Sequence, residues 1–467
     1  MRISPVFVTA IVIVSVILLA NCTRTVIVAE DPLPTGATKI EATAQRSGDA
    51  TAGYQYLIYG DYLSAGIPLP IFTSVYSKSP DDLARTGDNS GVPYSFNAFA
   101  ASNGVKVVAN NCFSCHAQKI NGQLVLGLGN NASDNSIDRS ALLKQIDLVV
   151  QLKYGANSPE WKAYYPFSRG FTAIAPYIKT ATQGVNPADK IFAALSAHRK
   201  SDDLAWVDQG QFTIATEVIP TDVPPWWNVK KKNALYYNGL GVKDFSRLIL
   251  ASELVAMGDS AEARKVDTHA PDVLAWIKSI QPPKYPFTID AMLAASGKTI
   301  FEATCSKCHG TYGASGTYPN LLLDASSVGT DAALVDAYTV NPEYNTWYNK
   351  SWFAQGVGAG NLVPTKGYVA PPLDGIWATA PYFHNGSVPT LDDVLNSGQR
   401  PKYWSRTFDD ADYDKAKVGW NYTVQTTKVD VKTYDTSLKG YGNGGHTYGD
   451  VLSVGDKKAL VEYLKTL

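Results

Sequence analysis

Cys112-Phe113-Ser114-Cys115-His116 and Cys305-Ser306-Lys307-Cys308-His309 are the two stretches that decide how this 467-residue chain is read. Each offers two thiols spaced to reach the two vinyl groups of a haem, followed at once by an imidazole that can turn toward the iron. A zinc site would want a further cysteine pair beside each motif, and the chain has only one more cysteine, Cys22. The sequence therefore predicts two covalently bound haem c groups, attached through Cys112, Cys115, Cys305 and Cys308, with His116 and His309 as the proximal iron ligands.

The flanking segments repeat one order of features, a helical approach to the motif and a closing amphipathic helix. Residues 96–110 lead into Cys112, and residues 271–280, with Val273, Leu274, Trp276 and Ile277, close the first half. In the second half, residues 289–304 carry Met292, Leu293, Ile300 and Phe301 at helical spacing, and residues 456–467 place Leu460, Val461, Tyr463 and Leu464 on one side. Gln281-Pro282-Pro283-Lys284-Tyr285-Pro286 stops any helix between them. The expected fold is mainly α, with long irregular loops and few short strands. It is arranged as tandem cytochrome c domains, an N-terminal haem c domain over 53–285 and a C-terminal one over 286–467. The loops at 310–375 and 403–449, rich in Gly, Tyr and Asn, are expected to wrap cofactor and to embed short strand pairs.

Arg2 ahead of an uncharged apolar run at 6–20 reads as an export or lipoprotein signal over 1–22, followed by a Pro/Gly/Ala/Thr-rich linker over 23–52. Cys22 after Leu19-Ala20-Asn21 resembles a bacterial lipobox, although Asn departs from the small residues usual before the cysteine. A lipid anchor, an uncleaved apolar anchor and cleavage further on stay open. The expected location is the periplasm or outer membrane, with the membrane touched only through an N-terminal anchor. No cysteine pair is left for a disulfide. With 41 basic and 42 acidic residues, the composition argues against a broad surface for nucleic acid or anionic lipid. Lys230-Lys231-Lys232 reads as a solvated patch, with a docking site for a partner the alternative.

What lies opposite each proximal histidine separates a carrier from an enzyme. The histidines are His116, His198, His269, His309, His384 and His446, and the methionines Met1, Met257 and Met292. No methionine follows His309, so His384 and His446 lead for the second haem. For the first, His198 and His269 stand in polar settings that read as surface, and Met257 stands in an apolar stretch that reads as core. The first haem is therefore expected to be open. Trp226, Trp227, Tyr237 and Phe245 could wall its distal pocket or pack a core. Trp377 could relay electrons between the haems or likewise pack.

Thr379-Ala380-Pro381-Tyr382-Phe383-His384-Asn385-Gly386-Ser387-Val388-Pro389-Thr390-Leu391 resembles a marker of the bacterial di-haem cytochrome c peroxidase superfamily. Three further features lean toward its rubber-oxygenase branch: Cys115-His116-Ala117-Gln118-Lys119 with Gly127-Leu128-Gly129-Asn130, the run from Pro224 to Lys232, and Gly445-His446-Thr447-Tyr448-Gly449 before the last helix. This resemblance implies an open, dioxygen-binding first haem and a second haem with two histidine ligands, the distal one being His446. His384 is then a structural neighbour, with His384 as ligand the alternative. It also implies a calcium ion on the carbonyls of Thr379 and Pro381. No histidine lies between His116 and His198 to block the first iron. The chain is shorter than rubber oxygenases, which puts polymer cleavage in doubt. The expected function is an exported di-haem c-type oxidoreductase, peroxidase-like or oxygenase-like. It would act on peroxide, dioxygen or a small apolar substrate and exchange electrons with a redox partner protein. The alternative is an electron-transfer cytochrome with both haems six-coordinate and no substrate chemistry.

Overall fold

Helix starts in this chain are set by short polar side chains that accept the otherwise orphaned first amides. In the computed structural model, which describes residues 33–76 and 82–467, Asp49 caps α1 (Ala50–Tyr59). Pro271, whose fixed φ suits a first turn, opens α2 (Ala270–Ser279). Asp290 caps α3 (Ala291–Thr304) and Ser453 caps α4 (Val454–Leu464). The signal segment, Cys22 and the first part of the expected linker lie outside the described residues.

The four helices pack as two pairs, α1 on α2 and α3 on α4. Each pair crosses at a glycine. A Cβ on Gly53 would strike the main chain of Asp272, and one on Gly297 the carbonyl of Ala459, so each close approach requires a missing side chain. Around the second crossing Phe301, Leu460, Val461, Tyr463 and Leu464 are buried. Removing such a side chain from water contributes roughly 1.5–3 kcal/mol. The outer face of α3 differs from the expected one, since Met292 is 83% and Leu293 40% exposed, and Ala294, Gly297 and Phe301 form the buried stripe.

The helical approach expected at 96–110 is a hairpin. From Leu33 on, the stretch read as linker carries β1 (Ala37–Lys39) and the start of α1. The motif is then approached by β2 (Phe96–Ala100) and β3 (Lys106–Asn110), in antiparallel register from Phe96↔Asn110 to Ala100↔Lys106. Asn103-Gly104, with Gly104 at φ 84°, makes the turn, and the valines at 105, 107 and 108 favour extended chain. Both faces of β3 are covered, with Val107 and Val108 fully buried, so alternation was invisible. The helix equivalent to α3 in the first half is α1, far upstream of the motif.

Helix (39%) exceeds strand (13%) threefold, a mainly α chain with short strands. Helices also fill part of a region expected to be irregular, at Ala333–Val340 and Glu343–Lys350. Residues Pro34–Leu467 form one compact unit, and contacts run across the expected boundary near Pro286. β1 pairs with β4 (Leu321–Asp324), whose other edge takes β5 (Gly367–Val369). The Asn131 side chain also donates to the carbonyl of Ala380. Among the described residues no helix is long and apolar enough to cross a membrane.

Candidate functional site

β3 delivers the chain to Asn111, whose Oδ1 accepts the amide of Phe113 at 2.9 Å and turns the backbone into the single helical turn Phe113–His116. Burial pushes the Cys112 thiol up to about 12 and raises that of Cys115, so neither is a thiolate at neutral pH, and neither is in a disulfide. Burial also lowers His116 to about 3, leaving a neutral imidazole, the form that ligates metal. The Trp226 ring stacks on it at 4.3 Å and 21°.

The second motif follows directly from the C-terminal end of α3. His309 Nδ1 donates to the carbonyl of Pro371 at 2.8 Å, which fixes the ring and leaves Nε2 free to face inward. Opposite stands His446, its ring centroid 6.2 Å from that of His309. An imidazole nitrogen lies about 2 Å from the metal it ligates, so two rings on opposite faces of one iron have centroids about 6 Å apart. The separation fits an iron between them. His446 is placed by its amide bond to Val328 and by Arg400, which donates to the carbonyls of Asn443, Gly445 and His446. His446 is held down to about 4 by burial, with His309 and Arg400 acting in the same direction. Its Nδ1 is buried without a partner.

A cavity of about 490 Å³ joins the two motifs, since His116, Cys305, Cys308, His309, His384 and His446 all line it. Two of the four aromatic candidates do too, Trp226 and Tyr237. The other two are core. Trp227 is fully buried and its Nε1 donates to the carbonyl of Asp374, while Phe245 is buried in the same core cluster as Leu240, Leu248, Tyr348 and Leu362. The helical turn at Trp226–Lys231 sends neighbouring tryptophans to different sides, which a sequence run cannot reveal. Trp377 is core as well, donating to the carbonyl of Pro283.

Met257 lies in the same core cluster as Phe245, at 1% exposure. His198 bonds the carbonyl of Val207 and stacks on Trp206, and the exposed His269 stacks on Tyr56. None of the three reaches the cavity. His384 does reach it, fully buried, its Nε2 without a partner and its ring stacked on Tyr368 at 4.1 Å. Thr379 and Pro381 also line it, and among the described residues no group of three His, Cys, Asp or Glu side chains gathers there. The lysine run is not a solvated patch. Lys231 pairs with Asp374 at 2.6 Å, Lys230 bonds Ile280 and Gln281, and Lys232 bonds the carbonyl of Tyr236.

One feature of the site escaped the reading of the sequence although it is written there. Pro224-Pro225 and Tyr236-Tyr237-Asn238-Gly239 recur, at one common offset, as Pro371-Pro372 and Phe383-His384-Asn385-Gly386. The backbones match. Tyr236 and Phe383 have φ 68° and 72°, Gly239 and Gly386 have φ 65° and 69°, and positive φ is costly for an aromatic residue. The Leu235 amide bonds Gly241 at 2.8 Å as the Tyr382 amide bonds Val388 at 2.7 Å, and Asn238 and Asn385 each accept the amide two residues on at 3.2 Å. Tyr237 and His384 thus hold equivalent places in two copies of one loop.

Comparison with known proteins bears on the second copy. A family described as RoxA-like, cytochrome c-like matches residues 367–405, from β5 through the His384 loop. The chain is 29% identical to y4iM, an uncharacterized protein of Sinorhizobium fredii, across 69% of this chain and 82% of that one. It is 28% identical to y4iJ, an uncharacterized protein of the same organism, across 40% of this chain and 41% of that one. The chain is thus related to RoxA-like cytochromes c, and that relationship carries haem binding with it.

Proposed function

We propose that this chain is an exported di-haem c-type oxidoreductase with unequal haems. The first, on Cys112, Cys115 and His116, is open to peroxide or dioxygen. The second, on Cys305, Cys308 and His309, is closed by His446 and relays electrons from a redox partner protein. One observation carries the reading: His446 faces His309 at 6.2 Å, whereas the cavity receives no side chain of His198, Met257 or His269. A covalently held haem would supply an iron that binds and reduces peroxide or dioxygen when its sixth position is free.

The protein's part is ligation, orientation and polarity. Trp226 and the hydrogen bond to Pro371 hold the two proximal rings, and burial keeps them neutral. Apolar walls that include Val229, Leu235 and Ile249 limit water near the first motif and suit a small apolar substrate. Relatedness to RoxA-like cytochromes c and the recurring Pro-Pro loops support a tandem arrangement, and placement within the di-haem peroxidase superfamily rests on the segment from Thr379 to Leu391. A calcium ion would rest on the carbonyls of Thr379 and Pro381. The test is electron paramagnetic resonance of the oxidised protein before and after hydrogen peroxide. One high-spin and one low-spin haem, the high-spin signal changing with peroxide, is expected. Two low-spin signals indifferent to peroxide would leave an electron-transfer cytochrome instead.

A further inference from the structure

The two copies of the recurring loop meet at Asp222. The Tyr237 hydroxyl donates to Asp222 Oδ2 at 2.7 Å, and the Asp222 amide donates to the carbonyl of His384 at 2.7 Å. The carbonyl of Tyr237 in turn accepts the amide of Val369 on β5 at 2.7 Å. The phenol therefore belongs to the first-half loop and is fastened to the second half. Tyr237, Asp222 and His384 all line the cavity that holds His116 and His309. Asp222 is 9% exposed; burial raises it to about 7, against the pull of the Tyr237 hydroxyl, the Val223 amide and the positive charge of Arg406 toward the carboxylate. A phenol loses an electron far more readily when its proton can leave at the same time along an existing hydrogen bond, and 2.7 Å is within the range for such a transfer. The equivalent place in the second half holds an imidazole, so at this position of the repeat the first-half copy alone carries an oxidisable phenol. Trp377 and Trp227 do not line the cavity, and Trp226, which does, lies stacked on His116 without the hydrogen-bonded carboxylate that Tyr237 has.

We propose that Tyr237 is a redox-active residue between the two haem sites, giving its phenolic proton to Asp222 as it gives an electron to the oxidised first haem. This rests on the proposed function, in which hydrogen peroxide is the oxidant and is reduced to water. In the step the phenolic O–H bond breaks and an Oδ2–H bond forms. One electron passes from the ring to the oxidised first haem, leaving a neutral tyrosyl radical beside a protonated Asp222. An electron from the reduced second haem and return of the same proton restore the phenol.

Freeze-quenched electron paramagnetic resonance of the haem-loaded full chain mixed with hydrogen peroxide tests this. The expected result is a narrow organic-radical signal whose hyperfine structure collapses in protein made with ring-deuterated tyrosine. The signal is expected to be lost in Tyr237→Phe and in Asp222→Asn, with both haem spin states as in the unaltered chain. A radical that persists in Tyr237→Phe, one insensitive to deuterated tyrosine, or none at all from a first haem that reacts with peroxide overturns the role of Tyr237 and leaves the proposed function standing. Two low-spin haems, both indifferent to peroxide, overturn the role of Tyr237 and the proposed function together.

Discussion

On the proposed reading, single residues decide which of two haems would do chemistry. His446 owes its place to a glycine-rich loop whose carbonyls are gathered by Arg400, so its distance from His309 is a tertiary fact even though the residue itself was a candidate from the inventory of histidines. Replacing His446 with Ala should convert one low-spin haem to high spin, read by electron paramagnetic resonance, and an unchanged spectrum would move the assignment to His384. Glu253 makes a different point. It is 6% exposed, its Oε2 has no partner, and burial, with Asp267 and Asp61 nearby, raises it well above the ordinary carboxylate value. The folded chain therefore keeps a proton that the unfolded chain gives up. The stability this contributes is full below the ordinary carboxylate range and is lost as pH rises toward the folded value. Denaturation measured over a pH series should show that decline flattened in Glu253→Gln, and a parallel decline in the variant would place its origin elsewhere.

At the level of elements, the closing helices were legible because one apolar face repeats at helical spacing, whereas α3 was located although Met292 and Leu293 of its expected face are exposed. The first approach helix was misplaced because a strand buried on both faces shows no alternation, while its true counterpart, α1, lies in a stretch whose Pro, Gly, Ala and Thr content resembles a linker. Helix crossing is where small changes act most strongly. Gly297→Ala and Gly53→Ala put a methyl group against a partner backbone that has little freedom to retreat, and each should destabilise by about 1–3 kcal/mol. Thermal unfolding of the haem-loaded protein gives the check, with Gly398→Ala, where a Cβ meets nothing, as the control that should leave the midpoint unchanged.

Across the whole molecule the two halves are interlocked by β1 on β4, by Asn131 on Ala380 and by Trp227 on Asp374. Contacts of that kind couple the halves, so calorimetric unfolding of the full chain should give one transition whose calorimetric and van't Hoff enthalpies agree, where independent domains would give two. The sequence by itself determined the cofactor chemistry, because two thiols and an imidazole at fixed spacing are a local requirement, and it located the closing helices, because helical periodicity is local too. It also contained the repeated Pro-Pro and Asn-Gly loop, which becomes recognisable once matching positive φ values show that the two copies share one backbone. Only the tertiary structure decided which histidine faces His309, that Trp227 and Phe245 are core while Trp226 and Tyr237 line the cavity, and that Tyr237 meets Asp222 and the His384 loop. Those outcomes depend on residues far apart in sequence being brought within a few ångströms, a distance that neither composition nor periodicity encodes.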